Sequence, residues 1–218
     1  MKKNEWRNKL LKAVEEKVKG DHTGHSITHL LRTEKYALQI ARGEKGKLDE
    51  EVISAACLIH DVGRMDEFLG IGHIETGIKF AEEWLPLVGF PEEKIPKVIE
   101  AIKLHEQREG DTDKTKAQYK ESLIVQDADK LEFVGAVGIA RGFQFAGAHK
   151  IPVYDPEYKE VDYSYKPLEK VLSELHHIKK LMIEKRFNTK TGEKLAKKRV
   201  TFVKKFIDQF IKEWEGKL

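Results

Sequence analysis

Nine histidines against a single cysteine make imidazole and carboxylate, rather than thiolate, the groups with which this chain can hold a metal ion. Four positions stand out: His29 in one helical stretch, His60 and Asp61 at the end of the next, and Asp127 in a helix far downstream. Three separate helices would then each bring ligands to one point. Consecutive residues on a helix diverge by about 100°, but His60 and Asp61 stand where the helix gives way to Val62-Gly63, so both side chains can turn to one ion. Two imidazoles and two carboxylates suit Mn²⁺, Fe²⁺, Co²⁺, Ni²⁺ or Zn²⁺, with supply choosing among them.

The ordered pattern His, His-Asp, Asp, here His29, His60-Asp61 and Asp127, resembles that of the HD-domain phosphohydrolase superfamily. The likeness extends through His25-Ser26-Ile27-Thr28-His29-Leu30-Leu31-Arg32, His60-Asp61-Val62-Gly63-Arg64, His73-Ile74-Glu75-Thr76-Gly77 and Val125-Gln126-Asp127-Ala128-Asp129-Lys130-Leu131-Glu132. With Gly135-Ala136-Val137-Gly138-Ile139-Ala140-Arg141 added, these segments are similar to one bacterial and archaeal branch of predicted hydrolases. It covers about the first three quarters of the chain, through Tyr154-Asp155-Pro156, and fades beyond.

What the resemblance implies is an all-α fold and a metal-dependent phosphohydrolase with one divalent ion (Mn, Fe, Co, Ni, Zn or Mg). The ion would be held by His29, His60, Asp61 and Asp127. It would lower the pKa of a bound water and offset charge developing on the phosphoryl group. The implied substrate is a small phosphorylated molecule, a nucleotide, cleaved as a phosphomonoester or with release of pyrophosphate from a triphosphate. Asp61, bound through one oxygen, could orient or deprotonate the attacking water through the other. His73 and His105 have three open roles: a second metal, an outer role toward phosphate or protons, or an ordinary structural one. Arg32 and Lys130, one helical turn from His29 and Asp127, are candidate phosphate-binding cations, as is Arg64 beyond Asp61. The competing reading makes each of them a surface charge near a helix end.

Helical periodicity supplies the elements that must position these groups. Trp6, Leu10, Val14 and Val18 recur every three to four residues, with Gly20 ending the first helix. Ser26 can cap a second helix reaching Gly43, and Asp49 a third whose end carries His60-Asp61. A fourth is expected from about His73 to Leu85 with Pro86 after it, a fifth opening at Pro91, and a sixth from near Ser122 that includes Asp127 and Val134. Lys150 to Lys166, with two prolines and four tyrosines, reads as a surface excursion. A hairpin follows: Leu168 to Phe187, a turn at Asn188-Thr189-Lys190-Thr191-Gly192, and a last amphipathic helix with Leu195, Val203, Phe206, Phe210 and Trp214 on one face. The sequence thus predicts a single HD-type helical bundle over residues 1–218, with its core at about 20–156 and a C-terminal elaboration at about 165–218.

Composition narrows the classes. Lys+Arg 40 against Asp+Glu 37 gives +3, a charge too balanced to favour nucleic acid. Neither a signal peptide nor a membrane span is expected, so a cytoplasmic protein is the default. Cys57, inside an apolar run, is expected to pack as a small hydrophobe, and His176-His177 to face solvent. Two other classes stand beside the enzyme: a nucleotide- or metal-sensing module without turnover, and a nucleic-acid-binding protein using the basic last helix. The apolar stripe of that helix could also pair two chains into a homodimer.

Overall fold

The computed structural model describes residues 5–106, 117–154 and 187–218, with Phe68 through its backbone alone. Among these residues every regular element is helical: α1 (Glu5–Lys17), α2 (Ile27–Gly43), α3 (Glu50–Ile59), α4 (His73–Val88), α5 (Ile95–Leu104), α6 (Lys120–Glu132), α7 (Ala136–Ala148) and α8 (Lys190–Trp214). Short 3-10 turns at Arg64–Leu69 and Glu92–Lys94 lead into α4 and α5. No described helix is long and apolar enough to cross a membrane. The expected helix from Leu168, most of the tyrosine-rich excursion, and His176-His177 lie outside the described residues.

The third helix is the axis of the fold. All eight residues from Val52 to Ile59 are buried, as a helix apolar on every side requires, and α1, α2, α4, α5 and α6 pack around it. Asp49 starts it as expected, its carboxylate accepting from the backbone N–H groups of Glu51 and Val52. Cys57 sits fully buried in the same core. Around this axis α1 contributes Trp6, Leu10 and Val14, with Trp6 edge-on to Phe90.

Several boundaries differ from the pattern-based expectation. Pro86 lies inside α4, which continues to Val88 and is ended by Gly89 in the left-handed region, φ 80°. A proline breaks a helix by removing one donor and crowding one carbonyl; two residues before the last one, Val88, little helix is left to be disturbed. Pro91 caps the 3-10 turn rather than opening α5, and Ser26 at the head of α2 makes no side-chain cap to the backbone. Of the expected turn, Asn188 and Thr189 form a bend before α8, while Lys190, Thr191 and Gly192 are already its first turn, capped by the Thr189 hydroxyl, which accepts from Gly192 N–H. Part of the apolar face of α8 packs within the chain. Val203 and Ile207 close a second core with Val134 and Ile139, and Phe143 stacks on Phe210.

The head of α8 is fastened to α6 by Asp127. Its buried carboxylate accepts from Asn188 N–H (2.8 Å), Asn188 Nδ2 (3.0 Å), Thr189 N–H (2.7 Å) and the Thr189 hydroxyl (2.7 Å). Gly192 allows this approach, because a Cβ there would stand 2.7 Å from Asp127 Oδ2. Burial nevertheless pushes the Asp127 carboxyl above its ordinary pKa. Hydrogen bonds to charged groups contribute about 1.5–3 kcal/mol each, and donors left without an acceptor cost more. Asp127→Ala is therefore expected to destabilise the protein by about 3 kcal/mol, lowering Tm by roughly 6–12 °C in thermal unfolding.

Candidate metal centre

His29 lies on the first turn of α2, His60 is the C-cap of α3, and Asp61 follows where the chain leaves the helix. Gly63 lets this corner pack on the head of α4: a Cβ there would meet the His73 carbonyl oxygen at 2.7 Å. Asp129 comes from α6, opposite in direction to Asp127, since two residues along a helix are about 200° apart. His29, His60, Asp61 and Asp129 are all buried and offer ligand atoms within 4.8 Å of one another.

The spacing of those atoms fits a cation. His29 Nε2 stands 3.3 Å from His60 Nε2 and 3.2 Å from Asp61 Oδ2. His60 Nε2 is 3.4 Å from Asp61 Oδ2, while Asp129 Oδ1 lies 3.6 Å from His29 Nε2 and 3.7 Å from His60 Nε2. Ligands about 2.0–2.2 Å from one ion stand roughly 2.8–3.6 Å apart, from right-angle octahedral neighbours to tetrahedral ones, and an ion of more than four positions keeps room for water beside these four. Asp129 Oδ1 is also buried without a hydrogen-bond partner, which a protein rarely tolerates unless a ligand completes it.

The outer nitrogens fix the tautomers. His29 Nδ1 faces Glu132 Oε2 at 3.2 Å, and His60 Nδ1 faces the Cys57 carbonyl at 2.9 Å. Both partners are acceptors, so each Nδ1 carries a proton and each Nε2 faces inward, the orientation a metal-binding histidine needs once its inner nitrogen is unprotonated. Burial presses the His60 imidazolium toward neutrality, yet Asp61 and Asp129 outweigh it and push its pKa up to about 10. The pocket therefore favours a positive charge between these two carboxylates.

A second triad shares Asp61. His105 Nε2 is 3.4 Å and His73 Nε2 3.9 Å from Asp61 Oδ1, and both nitrogens are buried without a hydrogen-bond partner. His105 Nδ1 donates to the Ile102 carbonyl, and His73 Nδ1 to Glu67. The same Asp61 oxygen accepts from Arg64 Nε at 2.9 Å; Arg64 also reaches Glu67 and Glu106. Asp61 is held well below the ordinary carboxylate range: burial alone would raise it, but Arg64 and His60 prevail.

One expected ligand stands elsewhere. Asp127, expected beside His29 and His60-Asp61, points away to the head of α8, and the α6 carboxylate found in the candidate cluster is that of Asp129. Both acids are helical and two residues apart, so only the packing of α6 between α2, α3 and α8 decides which faces inward. A signal did exist: Asp129 and Glu132 are three apart on one face, and Glu132 is the carboxylate behind His29.

The expected cations also separate. Arg32 is committed to Glu132, with Nε at 2.9 Å from Oε2. Lys130 donates to Gln126 at 3.2 Å and lies on the Asp127 side of α6. His25, quoted in the sequence only within a motif, is buried 4.0 Å from Asp61 Oδ2; burial holds its pKa well below the ordinary value, and Nδ1 is fixed on the Thr23 hydroxyl. Arg141, quoted in the sequence only within a motif, is buried beside Glu132.

An all-helical bundle built around a buried His-His-Asp-Asp cluster able to bind a metal ion is the class these observations define. Residues 26–133 match the HD domain family. The chain is 30% identical over 196 residues to YpgQ of Bacillus subtilis (strain 168), covering 90% of this chain and 87% of YpgQ. It belongs to the HD domain family. A crystal structure of an HD-superfamily hydrolase from Bacillus thuringiensis superposes with a TM-score of 0.68 at 29% identity, over 95% of this chain and 96% of that one. The crystal structure of YpgQ in complex with ADP gives 0.69 at 25% identity, over 94% and 96%. A Lactobacillus plantarum protein shares the fold with a TM-score of 0.77 at 23% identity, over 99% and 100%.

Elemental analysis after loading with Mn²⁺ separates the two acids of α6. Asp129→Asn is expected to lose most of the bound metal, whereas Asp127→Asn keeps it; the reverse result would return the ligand role to Asp127.

Proposed function

We propose that this chain is a metal-dependent phosphohydrolase acting on a small phosphorylated substrate, a nucleotide, with its ion on His29, His60, Asp61 and Asp129. The observation that carries the reading is the set of four buried donor atoms at the edge lengths of a metal coordination sphere. The nucleotide class is supported by the ADP bound to the relative YpgQ. Both nucleoside monophosphate hydrolysis and pyrophosphate release from a triphosphate suit such a site.

A divalent ion there would supply a water of lowered pKa and offset the charge gathering on the phosphoryl oxygens. The residues of the chain do the rest. Glu132, gripped by Arg32, keeps the His29 ring turned so that Nε2 faces inward. Arg64 holds Asp61 Oδ1, so the outer oxygen expected to serve as base is already occupied by a guanidinium. In our reading His105 and His73, whose Nε2 atoms flank that oxygen without hydrogen-bond partners, are the groups that exchange a proton with water or leaving group. Mn²⁺ heads the candidate ions, because imidazole with carboxylate is a borderline-hard donor set.

The reading is tested by incubating the chain with nucleoside mono-, di-, tri- and cyclic phosphates under Mn²⁺, Fe²⁺, Co²⁺, Ni²⁺, Zn²⁺ and Mg²⁺, measuring both phosphate and pyrophosphate. Turnover with at least one nucleotide is expected, abolished by chelation and restored by metal; release of neither product under any metal would leave a nucleotide- or metal-sensing module. His105→Asn should lower kcat about a hundredfold with one ion per chain retained. A wild-type content of two ions would instead assign His73 and His105 to a second metal.

A further inference from the structure

Among the described residues, two of the three arginines around the cluster are employed in holding carboxylates. Arg32 grips Glu132, and Arg64 holds Asp61, Glu67 and Glu106. The third, Arg141 on α7, is different. It is 6% exposed, Nε donates to the Gly24 carbonyl at 2.8 Å, and the guanidinium plane lies over the Phe133 ring, 4.8 Å from its centroid. One edge and one face are thereby fixed. Nη1 is buried and has no hydrogen-bond partner among the described residues. Glu132 Oε2, 3.7 Å away, is too distant to accept and already faces His29 and Arg32.

The guanidinium stands beside the cluster, with Nη1 3.7 Å from the Glu132 carboxylate that backs His29. Burial works against its charge, and the acids that sustain it are Asp129 first, then Glu132 and Asp61. A charged donor buried without an acceptor is costly. Here its orientation is nevertheless secured by a backbone carbonyl and an aromatic face, which leaves Nη1 ready for an acceptor from outside. That acceptor must be anionic, to match a guanidinium, and must tolerate a divalent cation on its far side. A phosphate meets both demands, because its oxygens diverge and can address the two cations at once.

We propose that Arg141 is a substrate-binding residue of this site, with Nη1 receiving a non-bridging oxygen of the substrate's phosphate across from the His29-His60-Asp61-Asp129 cluster. The assignment rests on the phosphohydrolase reading above. Its competitor makes Arg141 a counter-ion for the buried acids and a strut for the loop at Gly24.

Calorimetry on the full chain loaded with Mn²⁺, titrated with inorganic phosphate and with ADP, separates these roles, and Mn²⁺ affinity is followed in parallel by electron paramagnetic resonance. Arg141→Gln is expected to weaken both ligands at least about tenfold while shifting Mn²⁺ affinity less than about twofold. Arg141→Lys, which keeps the charge but not the fork, should fall between and decides the matter if the glutamine variant does not fold. Unchanged phosphate affinity in the folded variant overturns the proposal, and so does a parallel loss of Mn²⁺ affinity, since either leaves only a structural role. Wild-type protein that takes up Mn²⁺ but neither phosphate nor ADP would instead overturn the phosphohydrolase reading, and this assignment with it.

Discussion

The structure turns on one buried carboxylate. Asp61 is 2% exposed and is approached on Oδ2 by His25, His29 and His60 and on Oδ1 by His73, His105 and Arg64. Taking such a charge out of water costs several kcal/mol unless it is compensated from several sides. The residues that compensate it come from α2, the end of α3, the 3-10 turn, α4, the end of α5 and the loop before α2. Much of the bundle therefore has a part in presenting a polar atom to a single point.

That constraint explains why the central helix is so apolar. Of the eight buried residues of α3, seven are apolar and only Ser54, which donates to Glu34, makes a polar side-chain contact, so the corner at His60-Asp61 carries most of the polar load. Each histidine of the cluster is held at Nδ1, by Glu132 for His29, a backbone carbonyl for His60 and His105, and Glu67 for His73. Fixing the outer nitrogen of each ring is what makes the inner one available without a search among tautomers.

Much of this was legible in the sequence. The helical periods of α1 to α6 follow from apolar spacing, and Asp49 capped its helix where its type and position required. His29 and His60-Asp61 converge because the helix ends at the pair. What sequence could not decide was rotation about a helix axis. Asp127 and Asp129 are chemically equal and both helical, and the choice between them lies in which neighbour α6 meets on each side. Pro86 was misread for a related reason: local chemistry marks it as a breaker, but its place near the end of α4 makes it tolerable. Arg141 escaped notice because a lone arginine acquires meaning only when burial, a carbonyl at one edge and a ring beneath it are known.

The two acids of α6 have a mechanical consequence. One engages the cluster on the inner side and the other the head of the C-terminal helix on the outer side, so the rod between them is keyed in opposite directions. A roll about its long axis would unseat both contacts together. The tail of the protein, far from the chemistry in sequence, is thus bolted to the same rod that presents Asp129 to the cluster.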